Sequence, residues 1–252
     1  MQAIVGLKRY GKTLTAHLDD LGVLGPHFTV AHGVWLDDDD MERLGDHGAS
    51  VAHNPGSNMR LGNGLGDMRA MLAHGVNVGI GTDGANCSDN LNMYEAMRLA
   101  SFASKAQCPD VERWVTTDEV AVAATEGSAR ALGFEGRLGR LAPGYKADIV
   151  FVDLGHVNWI PLNDATNQLV HTEDGSAVAH VMIGGRFVVQ DRRVTTVDVA
   201  ALARDAATAR ERLARVNAPG KELYERLAAV VGRFCPGLAH TPYHITRYVG
   251  GA

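Results

Sequence analysis

The chain has 252 residues, of which 46% are hydrophobic and 21% are charged, and these proportions exclude a mainly disordered protein. Lys and Arg number 24 against 29 Asp and Glu, so the formal net charge is −5, which disfavours nucleic-acid binding. No apolar run reaches the ~18 residues of a membrane helix, and the three cysteines are widely spaced, so we expect a cytoplasmic protein without disulfides or a membrane partner.

Short apolar runs alternate with helical patterns through the first half of the chain. Runs at 28–31, 49–52 and 76–80 predict three strands. Helices are predicted at 8–21, after the acidic run 37–40, at 68–72, at 91–105, and from a capping box at 116–119 to about residue 133. Strands that alternate with helices form parallel sheets, so we expect an α/β fold.

The pattern changes after this region. Strands are predicted at 147–152, 178–183 and 186–190, and Gly184-Gly185 joins the last two as a tight hairpin. A long helix is predicted at 199–215. We therefore divide the chain into an α/β part at 1–136, a β part at 137–195 and a helical tail at 196–252.

Each predicted parallel strand ends in a side chain with acid–base or metal-ligand chemistry. These side chains are His32, His53 and Asp83. Because the carboxyl ends of parallel strands meet at one edge, we expect the three side chains to converge. An aspartate can bind a divalent cation and accept a proton from water, and a neutral imidazole can stabilise charge on a substrate. The pattern therefore favours a metal-assisted hydrolysis.

A second motif overlaps the third strand end. Residues 79–84 match G-x-G-x-x-G after a strand, which alone is a weak signal of dinucleotide binding. The full motif requires a helix that opens directly on its last glycine, whereas residues 85–90 have the composition of a loop. A nucleotide-dependent oxidoreductase is therefore only a minor alternative.

Several segments together resemble the metal-dependent amidohydrolase superfamily. The resemblance is carried by VAHGVWL at 30–36, VAHNPGSNMRLGNG at 51–64, VGIGTDG at 78–84, SDNLNMYEAMRLA at 88–100 and LGRLAPGYKADIVFVD at 138–153. The branch it resembles most contains chlorohydrolases and aminohydrolases, among them cytosine, guanine and S-adenosylhomocysteine deaminase-like enzymes. The resemblance implies that residues 1–136 form strands six to eight of a TIM (β/α)8 barrel, followed by part of a small β-sandwich domain and C-terminal helices.

The resemblance also implies an activity and roles for individual residues. The activity is hydrolysis of carbon–nitrogen bonds other than peptide bonds, by deamination of a small purine-, pyrimidine- or triazine-like heterocycle. Asp83 resembles the metal ligand that shuttles the proton of the attacking water. His32 resembles the histidine that contacts the hydroxide and polarises the substrate, with a weaker metal contact. The implied substrate-pocket residues are His53, Asn54, Ser57 and Asn58. For the two asparagines, turn formation is an equally good interpretation.

The implied cofactor is a divalent metal, with zinc favoured and iron as the alternative. The family's H-x-H pair and H-x-x-E segment have no counterpart in this sequence, so we expect a C-terminal portion of a longer protein that begins just past strand five. Such a chain has fewer than the three protein ligands of a catalytic zinc. The competing hypotheses are a truncated non-catalytic fragment and a module that pairs with a partner. Open strand edges also make a homo-oligomer an expected state.

Overall fold

The computed structural model describes residues 2–239 and 241–249; residues 1, 240 and 250–252 of the predicted domains lie outside this part. A three-stranded parallel sheet with surrounding helices is followed by a four-stranded antiparallel sheet and two long helices. This is the predicted α/β fold, and the described residues do not close a barrel. The match of the parallel sheet to barrel strands six to eight stays a prediction.

The parallel sheet confirms the three strands predicted in the first half of the chain. They are β1 (Thr29–Ala31), β2 (Ser50–His53) and β3 (Asn77–Ile80), in that order across the sheet. Val51 in the central strand pairs with Val30 on one side and Val78 on the other. The carboxyl ends of all three strands therefore lie along one edge.

Two of the helices between these strands begin at aspartate caps. α3 (Asp38–Asp46) starts after Asp37, whose carboxylate accepts the amide hydrogen of Asp40. α5 (Met68–Ala73) starts in the same way after Asp67. The acidic run 37–40 is thus a helix N-terminus, as predicted, because carboxylates there satisfy free amides and oppose the helix dipole. The most completely buried apolar side chains near the sheet are Met41, Leu44, Val51, Met68 and Met71.

The single helix predicted over 8–21 is wrong, because this segment contains the end of one helix and the whole of another. α1 (Gln2–Tyr10) ends before Gly11, whose φ is +69°. α2 (Leu14–Asp20) begins after Thr13, whose hydroxyl accepts the amide hydrogen of Ala16. A left-handed glycine ends a helix, and a capping threonine starts the next one.

Two short helices follow the second and third strands. α4 (Pro55–Arg60) opens with a proline in its first turn, which suits the fixed φ of proline. α6 (Ala85–Ser88) opens directly after Gly84 and ends at Asp89, whose φ is +66°. The loop predicted at 85–90 is therefore wrong over its first four residues, and the lack of a helix no longer argues against the glycine motif at 79–84.

Three further helices follow α6 in the chain. They are α7 (Met93–Gln107), α8 (Thr117–Val122) and α9 (Ser128–Ala131), with a π-helical turn (Ala123–Gly127) between the last two. The capping box of Thr116 and Glu119 is present as predicted. The predicted helix from 116 to about 133 is thus a helical stretch with a π-turn inside it.

The π-helical turn lies against the outer edge of β3. The hydroxyl of Ser128 accepts the Ile80 amide hydrogen at 3.1 Å, and the Asn77 side chain donates to the Gly127 carbonyl at 3.0 Å. A Cβ atom on Gly127 would lie 2.1 Å from the Val78 carbonyl oxygen, so only glycine permits this approach. These contacts satisfy polar groups at a strand edge that would otherwise be open.

The second sheet contains β4 (Ile149–Val152), β5 (Val178–Ile183), β6 (Arg186–Gln190) and β7 (Arg193–Val194), all antiparallel. The hairpin predicted at Gly184-Gly185 is confirmed, and both glycines have positive φ. The structure describes one sheet here and no second layer of a sandwich. α10 (Ala165–His171) packs on α7, where Arg98 donates to the carbonyls of His171 and Glu173. The predicted domain boundaries stay predictions.

The tail contains α11 (Val199–Asn217) and α12 (Lys221–Ala239), joined by a short 3-10 turn. The helix predicted at 199–215 is confirmed and extends two residues further. Nearly all of the described side chains on these helices are exposed. No helix among residues 2–239 and 241–249 is both long and apolar enough to cross a membrane.

Candidate active site

His32 and Asp83 meet at the carboxyl edge of the parallel sheet. His32 directly follows β1, Asp83 lies three residues beyond β3, and the His32 Nε2 atom is 3.7 Å from Asp83 Oδ2. Both have a positive φ, +69° for His32 and +61° for Asp83. This conformation is uncommon outside glycine, and when packing enforces it, it is often found at functional sites.

The Asp83 carboxylate is held by two hydrogen bonds. The Ser57 hydroxyl donates to Oδ2 at 2.7 Å, and the Gly84 amide donates to Oδ1 at 2.6 Å. The hydrogen bond from Ser57, then that from Gly84, holds the pKa of Asp83 below its ordinary value. Asp83 is therefore ionised at neutral pH. α4 positions Ser57 because it begins immediately after β2.

The His32 ring is oriented by Asn58, which is also on α4. Asn58 Oδ1 lies 2.9 Å from His32 Nδ1. A carbonyl oxygen can only accept, so this contact places a hydrogen on Nδ1 and, in the neutral ring, a lone pair on Nε2, the atom that faces Asp83. Asn58 is completely buried, and its Nδ2 atom has no hydrogen-bond partner among the described residues.

His53 ends β2 and is only 1% exposed. Burial, with a smaller effect of the neighbouring His32, lowers the pKa of His53 to about 4, so its ring is neutral at neutral pH. Neither ring nitrogen has a partner in the part of the chain that the structure describes. Buried polar atoms without partners are rare and destabilising, so this imidazole is available to a ligand.

Asn54 is occupied by local contacts. Its Nδ2 atom donates to the Ala52 carbonyl at 2.9 Å. A Cβ atom on Gly81 would lie 2.4 Å from Asn54 Oδ1, so the amide fills the space that this glycine leaves. The geometry favours turn formation for Asn54, and its contact with a substrate stays a prediction.

A cleft of about 650 Å³ opens beside His32 and Asn58. Its wall also includes Trp35, Asn63 and Tyr243. Sequence reasoning missed these residues: Tyr243 is 211 positions from His32, and no local pattern relates them. A second cleft of about 780 Å³ lies near Asn77, at the opposite end of β3 from Asp83.

Asp83 and His32 are neighbouring side chains of types that can bind metals, and their role as metal ligands stays a prediction. Catalytic zinc ions usually take three protein ligands. Among the described residues, no group of three or more His, Cys, Asp or Glu side chains is arranged to hold a metal. The described side chains therefore do not by themselves complete a zinc site.

A sequence model of the amidohydrolase family matches residues 5–188. The chain belongs to the amidohydrolase family, as its motifs predicted. It is 40% identical over 193 residues to a 5-methylthioadenosine/S-adenosylhomocysteine deaminase of Syntrophobacter fumaroxidans, an alignment that covers 77% of this chain and 44% of that protein. The chain thus spans a little under half the length of this curated relative.

Solved structures share the fold. An adenosine deaminase from Xanthomonas campestris with bound zinc superposes with a TM-score of 0.81 at 32% identity, covering 84% of this chain and 48% of that one. An atrazine chlorohydrolase from Arthrobacter aurescens complexed with zinc gives a TM-score of 0.77 at 28% identity, covering 82% and 46%. Zinc-containing hydrolases of nitrogen heterocycles are thus among its structural neighbours.

Proposed function

We propose that this chain supplies the proton-transfer groups of an active site that hydrolytically deaminates a small nitrogen heterocycle. The reaction breaks a carbon–nitrogen bond other than a peptide bond. The observation that carries the proposal is the ionised Asp83 carboxylate, 3.7 Å from the imidazole of His32, a residue that lines a cleft. The names of the similar proteins, which include adenosine-type deaminases and a triazine chlorohydrolase, support a purine- or triazine-like substrate.

Asp83 and His32 would divide the work. Asp83 accepts a proton from the attacking water, whose oxygen bonds to the ring carbon. The proton then passes to the amino group as its bond to that carbon breaks, and ammonia leaves. His32 Nε2 faces the same space, and its lone pair accepts a hydrogen bond from the attacking water, which orients that water towards the ring carbon. Ser57 keeps the Asp83 carboxylate aimed by its 2.7 Å hydrogen bond.

The pocket residues would recognise the heterocycle. His53 offers two unpaired ring nitrogens, and Asn58 offers an unpaired Nδ2 atom. Ring nitrogens and exocyclic amino groups of purines can pair with such atoms. Ser57 and Asn54 complete the proposed substrate-binding set, with Asn54 acting through the turn that it stabilises.

We also propose that the site takes a divalent metal, zinc, because the similar structures hold zinc. Asp83 would be one donor and His32 a weaker one. Since no cluster of three His, Cys, Asp or Glu donors occurs among the described residues, further donors must come from outside them.

The direct test is ammonia release by the purified protein with zinc present. Adenosine, 5-methylthioadenosine, S-adenosylhomocysteine, cytosine and an amino-triazine are each offered as substrate. We expect ammonia from at least one of them, in proportion to protein concentration. A folded protein that releases no ammonia from any of them would contradict the proposal.

The small number of metal-donor side chains also supports a second function. With only Asp83 and His32 together, the chain fits a non-catalytic fragment, or a module completed by a partner. Metal analysis distinguishes the two functions. One tightly bound zinc per chain supports the enzyme, whereas a folded protein without stoichiometric metal and without ammonia release supports the non-catalytic function.

A further inference from the structure

Residues 243–248, within the last described segment of the chain (241–249), lie across two loops at the carboxyl edge of the parallel sheet. We call residues 243–248 the C-terminal strap. The first loop, residues 33–37, directly follows His32. The second loop, residues 61–67, directly follows α4, which carries Ser57 and Asn58. The strap therefore touches the chain on both sides of the candidate active site.

Arg247 joins the two loops. Its guanidinium donates to the Leu36 carbonyl at 2.6 Å in the first loop and to the Asp67 carboxylate at 3.3 Å in the second. Its backbone carbonyl accepts the Leu65 amide hydrogen at 2.8 Å. The side chain is only 13% exposed, a degree of burial that favours a paired charge, and its Nε atom has no partner among the described residues.

A glycine makes this close approach feasible. Gly64 has a φ of +98°, and a Cβ atom there would lie 3.0 Å from the Arg247 carbonyl oxygen. The second loop is therefore shaped to receive the strap.

Aromatic contacts also hold the C-terminal strap against the two loops. Trp35, in the first loop, packs edge-on against Tyr243 and Tyr248, with ring centroids 5.9 and 5.6 Å away. Trp35 Nε1 donates to the Asn63 carbonyl at 3.0 Å, and the Tyr248 hydroxyl donates to the Gly62 carbonyl at 3.1 Å. The three aromatic rings thus tie both loops to the strap.

The second loop also touches the site itself. A Cβ atom on Gly66 would lie 3.3 Å from His53 Nδ1 and 3.5 Å from the His32 carbonyl oxygen. A shift of this loop would therefore move the backbone that covers His53. On the strap itself, Tyr243 lines the cleft together with His32 and Asn58.

We infer that the C-terminal strap is a positioning element of the active site, with Arg247 as its clamp and Tyr243 as a wall of the ligand cleft. Arg247 acts through the two loops and touches no reacting atom. Tyr243 supplies contact surface to the group that binds beside His32. The role of Tyr243 rests on the proposed function, whereas the clamp role of Arg247 does not.

Hydrogen exchange tests the clamp without any assay of activity. We expect Arg247→Ala to speed amide exchange at 33–37 and 61–67 by about tenfold or more, because local opening is no longer opposed by the buried ion pair. Tyr248→Phe, which removes one hydrogen bond, should give a smaller increase in the same segments. Arg233→Ala, on the exposed face of α12, is the matched control and should change neither. Unchanged exchange in a folded Arg247→Ala protein would overturn the inference.

Steady-state kinetics test the wall. Tyr243→Ala should raise KM for an adenosine-type substrate by about tenfold with kcat nearly unchanged, and Tyr243→Phe should restore the parental KM. An unchanged KM in active Tyr243→Ala would overturn the wall role. If the parental protein has no activity, the proposed function fails, and the exchange result still decides the clamp.

Discussion

His32 Nε2 and Asp83 Oδ2 lie 3.7 Å apart, and both residues occupy the left-handed region of backbone space. Each follows a strand of the parallel sheet, so the backbone turns sharply as it leaves the sheet and presents the side chain at the edge. The two residues are 51 positions apart in the chain. The parallel register of the sheet alone brings them together.

The backbone of His32 can be tested apart from its side chain. Because a left-handed conformation costs a residue with a Cβ atom about 1 kcal/mol or more, we expect His32→Gly to be more stable than His32→Ala by about 1 kcal/mol. Urea unfolding of the two variants measures the difference.

Substitutions at His47 provide the control for the two His32 variants. Its φ is −83°, so glycine gains nothing there, and His47→Gly should be less stable than His47→Ala. The same order at both positions would contradict the strained backbone of His32.

His53 predicts a dependence of stability on pH. Its pKa is lowered to about 4 by burial, so between pH 6.5 and 4 the unfolded chain binds a proton that the folded protein does not. The free energy of unfolding should therefore fall by roughly 3 kcal/mol from this residue as pH drops across that window. His53→Gln, which cannot titrate, should lack this part of the loss.

The measurement is chemical denaturation at half-unit steps from pH 7 to pH 4, together with the NMR shift of the His53 ring. A ring that becomes protonated near pH 6.5 would contradict its burial as a neutral imidazole.

At Gly127, we expect one added methyl group to lower the free energy of unfolding strongly. A Cβ atom there would lie 2.1 Å from the Val78 carbonyl oxygen, so Gly127→Ala must push the π-helical turn away from β3. We expect a loss of about 2–3 kcal/mol of unfolding free energy. Gly232, on α12, has nothing within 4 Å of that position, and Gly232→Ala should be neutral or stabilising by up to about 1 kcal/mol.

The melting temperatures of the two variants give the comparison. Equal melting temperatures for Gly127→Ala and the parental protein would show that β3 is not in contact with the π-helical turn.

Local patterns in the sequence predict the strands and the main residues of the candidate site. The apolar runs before His32, His53 and Asp83 are visible without any structure, and so is the capping box at Thr116 and Glu119. Parallel pairing then follows from alternation with helices. These features depend on residues within one helix turn or one strand, and the sequence displays them directly.

Features set by distant contacts could not be predicted in this way. The π-helical turn exists because Gly127 must approach Val78, and the value of a glycine there depends on a strand about 50 positions earlier. Arg247 gives no local signal, since its partners Leu36 and Asp67 are 211 and 180 positions away. The break at Gly11 and Thr13 differs in that both of its residues are local signals, a helix-ending glycine and a capping threonine.

The most direct test of the account compares Asp83→Asn with Asp89→Asn in the ammonia-release assay. Both aspartates have a left-handed backbone, which asparagine tolerates, but Asp89 pairs with Arg60 outside the site. We predict that Asp83→Asn lowers kcat by about 10²–10⁴-fold while folding normally, and that Asp89→Asn keeps near-parental turnover. Near-parental turnover by Asp83→Asn would contradict the claim that Asp83 and His32 form the active site.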